Sequence, residues 1–432
     1  MAIQQVSLDK GLIRGEASEN YTVFKGIPYA APPIGALRFL PPKEAAPLHG
    51  VYEAVQFGAG CPQRLSAPGS FYDKEFYGIE DRKPRWDEDC LYLNIWTPAS
   101  SPDAKLPVAF WIHGGAFDHG FSSEAEFDGE AFCKRNVILV TINYRVNIFG
   151  FFSHPWMPEG SDNLGIRDQI AALTWIRKNI QNFGGDPDNI TVFGQSAGAI
   201  STQVLISSPL TAGMISQAIF QSAGGYHTGL QAQSKADADK FGTAFADALG
   251  ARSLDDLRAI PAAELMDKAM DFARRSGAAL PFAPTFGGEV LPAPCDTLAE
   301  SGKIADIPYM LGATGNDILA SAAGNPIQQG CIAWSRLLDK IRQKPSYVYS
   351  FTHALPGDNA GAFHSSELWY VFGTLQRCWR PFTAEDEALS NRMTDAWTSF
   401  MKRGVPDSSG SWRPCSNADP YVQIFDTVCS QA

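Results

Sequence analysis

The sequence predicts an α/β fold built on a mostly parallel central sheet. Three observations predict it. Short runs are apolar on both faces, as strands covered from both sides must be. Helical patterns separate those runs. The chain has 432 residues, enough for one large core.

The elements follow in chain order. Residues 6–29 alternate apolar and polar positions around turn residues, which predicts an antiparallel hairpin extending the sheet at one edge. A Pro-rich, irregular stretch runs from Pro32 to Pro84. Apolar strands are then expected at 107–112, 137–142, 190–193, 217–221, 307–311, 346–351 and 421–425. Helices are expected at 166–181, 232–249, 253–274 and 384–402; the first sets Ile166, Ile170, Leu173 and Ile176 on one face. No repeat or long linker divides the chain, so a single domain over 1–432 is expected.

Composition narrows the function. The net charge of −11 argues against nucleic acid and against polybasic docking on anionic membranes. Apolar residues at 45% exclude a disordered chain. No apolar run approaches the roughly 18–20 residues of a membrane span. The start, Met1-Ala2-Ile3-Gln4-Gln5, lacks a basic and an apolar signal region, so the chain reads as cytoplasmic, or as secreted if a leader has been removed. Eight cysteines (61, 90, 133, 295, 331, 378, 415 and 429) form no CxxC pair and no zinc spacing, and read mostly as reduced, buried thiols.

Residues 190–198 read Ile-Thr-Val-Phe-Gly-Gln-Ser-Ala-Gly: an apolar strand, G-x-S-x-G, then a helix-compatible run. Ser196 must sit on a sharp strand-to-helix turn with its hydroxyl above the sheet, and Gly194 and Gly198 keep side chains out of that turn. The pattern alone also fits a Gly-rich turn with an ordinary serine; the flanking strand and helix favour a nucleophile. The strand 107–112 runs into His113-Gly114-Gly115-Ala116-Phe117, an HGGG-type loop. Gly115, Ala116 and Ala197 are the expected oxyanion donors.

In an α/β-hydrolase the order is Ser, then Asp or Glu, then His. His227, His353 and His364 follow Ser196. His353 lies only two residues past the strand 346–351, whereas His364 follows the loop 356–361, so His364 is the preferred base and His353 the alternative. Asp306 precedes the strand 307–311, on the wrong side of the sheet. Asp317 lies beyond its carboxyl end and is the expected acid, with a helix N-cap as the competing role.

These residues resemble the type-B carboxylesterase family, which includes bacterial para-nitrobenzyl esterases, liver carboxylesterases and cholinesterases. The similar segments are Phe24-Lys-Gly-Ile-Pro-Tyr-Ala, Glu88-Asp-Cys-Leu-Tyr-Leu-Asn-Ile-Trp-Thr-Pro98, Trp111-Ile-His-Gly-Gly-Ala-Phe117, Asn143-Tyr-Arg-Val146, Asn163-Leu-Gly-Ile-Arg-Asp-Gln169, Phe193-Gly-Gln-Ser-Ala-Gly-Ala199 and Phe363-His-Ser-Ser-Glu-Leu368. They span essentially the whole chain. The resemblance implies Ser196 as nucleophile, His364 as base, Asp317 as orienting acid, and ion pairs Arg38–Glu88 and Arg145–Asp168. Cys61 and Cys90 match positions bridged in secreted relatives.

Four departures stand out. The family acid is usually Glu in Asp-Glu-Gly, where this chain has Asn316-Asp317-Ile318. Gln195 replaces the usual Glu before the nucleophile. Gly287-Gly288 stands where Asp-Gly is common. Only 47 positions separate Asp317 from His364, where relatives carry a helical insert. That predicts a reduced cap and an open, shallow pocket, with Trp334 and Leu337 at its rim. Phe117, Phe282 and Trp369 are candidates to line it. The expected activity is hydrolysis of short-chain or aromatic esters through an acyl-enzyme, with a small-molecule ester as partner and neither metal nor organic cofactor. Esters of acylated carbohydrate, a lipase and a non-catalytic binding protein are the alternatives. The sequence gives no oligomeric state.

Overall fold

The computed structural model describes residues 1–9, 11–48, 50–77, 85–230, 232–277 and 280–427. Pro84 and Cys429, named above, lie outside them. The strands in chain order are β1 (Gln5–Leu8), β2 (Gly11–Ala17), β3 (Thr22–Pro28), β4 (Val51–Ala54), β5 (Tyr92–Thr97), β6 (Leu106–Ile112), β7 (Ile138–Ile142), β8 (Gly185–Gln195), β9 (Gln217–Gln221), β10 (Gln233–Ser234), β11 (Thr285–Phe286), β12 (Tyr309–Thr314), β13 (Ser346–Phe351) and β14 (Val422–Phe425).

Among the described residues, twelve strands form one sheet in the order β1-β2-β3-β5-β7-β6-β8-β9-β12-β13-β14, with β4 beside β2. From β7 to β14 the pairs are parallel; β1 to β5 run antiparallel to their neighbours in that order. Alternate side chains divide the core between the two faces. Val108, Phe110 and Ile112 of β6 join one cluster with Val192 and Leu311, and Ala109 and Trp111 join the other with Phe193 and Met310. Buried side chains of the helices Leu164–Asn179 and Pro326–Lys340 belong to the first cluster, and those of Ala384–Arg403 to the second.

The order β7-β6-β8 places the site. The chain leaves β6 toward β7 on one side, and β8 takes the other. In an open parallel sheet such a reversal leaves a crevice at the carboxyl ends of the strands. The loop after Ile112 and the turn after Gln195 meet there.

Most expected elements are present, with three differences. The N-terminal hairpin is a three-stranded meander, β1-β2-β3. The predicted helix 253–274 is two helices, Leu254–Arg258 and Ala262–Ser276, because Pro261 cannot continue the first and instead caps the second. β5 was not among the predicted strands. Its apolar run is broken by Asn94, whose amide is buried and bonded to Ser122 and Thr141 at 3.0 Å each, while its oxygen accepts from Gly26 N at 2.8 Å.

Candidate active site

Ser196 occupies the turn between β8 and the helix Ala197–Ser207, at φ 55° and ψ −123°. A non-glycine residue is strained there and is held by its surroundings. The turn has no room for side chains at its glycines. A Cβ on Gly198 would lie 2.0 Å from Ile112 O, and one on Gly194 would lie 2.4 Å from the Gly198 carbonyl. Ser196 N donates to Gln221 O at 2.8 Å, which ties the turn to β9.

The loop after β6 abuts this turn: a Cβ on Gly114 would be 3.2 Å from Ser196 Cβ. Gly115, Ala116 and Phe117 all have positive φ, at 100°, 53° and 62°. Gly115 O accepts from Asp118 N and His119 N, so the loop closes on itself. The N–H groups of Gly115, Ala116 and Ala197 donate to no acceptor among the described residues. His113 is buried beneath the loop, stacked on Tyr144 at 4.4 Å, and burial pulls its imidazole down to about 4, so it is neutral. It supports the loop and carries no charge into the site.

His364 and Asp317 come from different loops that are stitched together. Asn316 N donates to Ala362 O at 2.8 Å, and Ala362 N returns a bond to Asn316 Oδ1 at 3.0 Å. That register sets His364 Nδ1 2.5 Å from Asp317 Oδ1. Asp317 also accepts Thr314 N at 3.1 Å and Ile318 N at 2.8 Å, and it caps no helix; the next one starts behind Asn325. Burial pushes the Asp317 carboxyl up, but the hydrogen bond and charge of His364, with Ile318 N–H, outweigh it and hold Asp317 below its ordinary value. The shorter acid therefore reaches the imidazole. Gln195 Nε2 approaches the other ring nitrogen, His364 Nε2, at 3.2 Å.

Ser196 and His364 line one cavity of about 300 Å³. Gly114, Gly115, Ala116, Tyr72, Phe76 and Ile318 are also in its wall. A serine, an imidazole oriented by a carboxylate, and free N–H groups in one cavity can perform acyl transfer.

Other expectations fare differently. His353 is far from this role: its Nε2 is 2.7 Å from Asp386 at the start of the helix Ala384–Arg403. Arg38 pairs with Glu88 at 2.5 Å, and Arg145 with Asp168 at 2.7 Å, both away from the cavity lining. The three candidate lining aromatics are core residues. Phe117 packs edge-on against Phe151, and Phe282 against Phe241. Trp369 stacks behind Phe76 and donates to Glu75 at 3.1 Å. Trp334 and Leu337 are not at a rim. Trp334 is fully buried against Phe220 and Tyr309, and Leu337 packs on the same cluster. An amphipathic helix presents the same spacing to a sheet as to a pocket, and here it chose the sheet.

The wall comes instead from residues 71–77, inside the stretch that reads as irregular. Tyr72, Phe76 and Tyr77 line the cavity, anchored by buried Glu75. Glu75 accepts from Trp369, Trp379 and Arg380. Phe71, Tyr72, Ile318 and Leu319 are exposed, and the helix between Asp317 and His364 packs on the sheet, so among the described residues that segment supplies no helical roof to the cavity. Glu124, Glu126 and His119 also reach the lining.

A model of the carboxylesterase family matches residues 2–332 and 330–432. The para-nitrobenzyl esterase of Bacillus subtilis (strain 168) is 33% identical, over 99% of this chain and 96% of its own. The fumonisin B1 esterase of Sphingopyxis macrogoltabida is 31% identical, over 92% of this chain and 81% of its own. A solved thermophilic PNB esterase superposes with TM-score 0.88 at 30% identity, covering 98% of this chain and 96% of that one. The sheet, the crevice at its carboxyl edge and these matches lead to one conclusion: the chain belongs to the carboxylesterase family, as a carboxylic ester hydrolase of the α/β-hydrolase fold.

Proposed function

We propose that this chain, acting as one hydrolase domain, cleaves short-chain or aromatic carboxylic esters through an acyl-enzyme on Ser196. One observation carries the assignment of roles: Ser196 shares a cavity with His364, whose Nδ1 is bonded to Asp317 at 2.5 Å. That bond favours the tautomer with the proton on Nδ1 and leaves Nε2 as the acceptor. Ser196 Oγ attacks the ester carbonyl while His364 Nε2 takes its proton. The N–H groups of Gly115, Ala116 and Ala197 receive the oxyanion. A single such donor contributes about 10²–10³ in rate. His364 then protonates the leaving alcohol, and water repeats the sequence on the acyl-enzyme.

A cavity of about 300 Å³ lies at the small end for a ligand site, which supports a compact ester. A second reading, action on emulsified long-chain esters, draws on the exposed apolar residues Phe71, Tyr72, Ile318 and Leu319. Hydrolysis of para-nitrophenyl esters from acetate to palmitate separates the two. The first predicts a maximum in kcat/KM at short acyl chains; a maximum at long chains, reached only above the solubility limit, would replace it with the second.

Among the described residues, no helix is long and apolar enough to cross a membrane. We read the compartment as cytoplasmic. Supporting this, Cys61 and Cys90 are both buried free thiols.

A further inference from the structure

A second cavity lies at the far end of the helix that begins beside Ser196. The helix Ala197–Ser207 leaves the carboxyl end of β8 and ends near the start of β12, where Ala305 N donates to Ile206 O at 2.9 Å. Leu205 and Ile206 of its last turn, with Ile215, Leu298 and Ile304, line a cavity of about 470 Å³. Its lining shares no residue with that of the cavity at Ser196. The five apolar side chains are buried and belong to the first core cluster, so the walls are held from behind before any ligand arrives. Small-molecule sites span about 300–1,000 Å³, and this cavity falls in that range.

The rim is cationic on an acidic chain. Among the described residues, Lys303 is the charged member of the lining and no acid joins it. Its backbone N donates to Leu298 O at 2.8 Å, while its Nζ forms no ion pair or hydrogen bond among the described residues. The acids nearest to it along the chain are engaged elsewhere. Glu300 accepts from Tyr226 Oη, and Asp306 accepts from Lys344 N at 2.8 Å. At Gly213, also in the lining, a second cation approaches: Arg177 Nη1 donates to Gly213 O and Met214 O at 3.3 Å each. The partner of Arg177, the exposed Asp188, is 3.3 Å from Nη2. Against a net charge of −11, this rim reverses the local sign. Apolar walls under a cationic rim complement an anion that carries a hydrocarbon tail.

We infer that this cavity is a binding site, separate from the catalytic one, for a monocarboxylate with a medium-length hydrocarbon tail. The carboxylate accepts from Lys303 Nζ in a charge-assisted hydrogen bond. The tail displaces water from Leu205, Ile206, Ile215, Leu298 and Ile304. An alcohol of the same length gains the second contribution and lacks the first, so charge at the rim distinguishes the two. A carboxylic ester hydrolase releases an acid at each turnover, so ligands of this class arise wherever the enzyme works.

Hydrogen exchange read by mass spectrometry tests the site locally, in peptides covering residues 203–215 and 295–306. Sodium octanoate and octan-1-ol are titrated into the full chain. Octanoate should slow exchange in these peptides saturably. K303E should raise the octanoate midpoint about tenfold and move the octan-1-ol midpoint by less than about twofold, as expected when attraction becomes repulsion at a partly exposed rim. A293W places a large ring at a half-buried lining position and should remove the protection given by both ligands. Lys303 is exposed, so K303E keeps the test decisive if A293W does not fold. Absence of saturable protection in the wild type overturns the site. So does an octanoate midpoint that K303E leaves unchanged, or one that it shifts no more than that of the alcohol. Protection that rises with protein concentration without octanoate assigns this face to a second copy of the chain and overturns the site as well. None of these readings uses turnover, so a failure of the esterase reading leaves them in force.

Discussion

Gln195 Nε2 lies 3.2 Å from His364 Nε2, the ring nitrogen turned away from Asp317. With Nδ1 donating to Asp317, Nε2 accepts and Gln195 donates. A neutral amide therefore touches the nitrogen that we propose takes the Ser196 proton. It brings no negative charge to an imidazolium.

Replacing that amide by a carboxylate supplies that charge. In Q195E an anion beside Nε2 stabilises the protonated ring, so the imidazole pKa rises. The acid limb of the kcat/KM–pH profile should move to higher pH by about 1 unit. An acid limb that stays in place or moves to lower pH would show that Gln195 does not face the working nitrogen.

Asp317 sets the opposite side of the ring. D317N keeps the shape but removes the acceptor that fixes the tautomer, and kcat should fall by about 10³–10⁴. The wild-type carboxyl is held below its ordinary value, so its stabilising contribution is present above its unfolded pKa of about 4 and is lost as pH falls through the folded value. The stability difference between wild type and D317N, followed by urea unfolding, should therefore shrink as the solution is made acid below pH 4. A loss of kcat under tenfold would point to another orienting acid.

Arg380 joins the cavity wall to the loop that carries His364. Its Nε contacts both oxygens of Glu75 at 2.9 and 3.0 Å, and its Nη1 and Nη2 reach Asp358 at 2.9 and 3.0 Å. R380M leaves Glu75 buried without its cation and should destabilise the fold by about 3–5 kcal/mol in urea unfolding. Adding E75L should recover part of that loss, because the pair is then removed as a unit. A double variant less stable than R380M would contradict this role for the pair.

Local pattern made much of this legible. Strand, G-x-S-x-G and helix lie in one continuous segment, so the position of Ser196 follows from chemistry within nine residues. Asp317 was reachable because it lies beyond the carboxyl end of a strand, even though β12 runs to Thr314, three residues past the apolar run. The cavity wall was not legible. Residues 71–77 have no period and lie inside the Pro-rich stretch, and their placement depends on Glu75 meeting Arg380, 305 positions away. Phe282, Trp369 and Trp334 fail for the complementary reason: a large aromatic is as well suited to a core as to a pocket, and only tertiary packing decides.

The central claim is that Ser196 is the nucleophile, and paraoxon tests it most directly. Attack by Ser196 Oγ on phosphorus forms the O–P bond and expels para-nitrophenolate, leaving a stable diethylphosphoryl serine. Intact-mass measurement of the wild type should show one such group per chain, mapped to the peptide containing Ser196, with hydrolysis of para-nitrophenyl acetate lost in proportion. S196A, folded to the same thermal midpoint within a few degrees, should take up none and hydrolyse no ester above background. Equal labelling of S196A, or a label on another residue of the wild type that abolishes activity, would contradict the account.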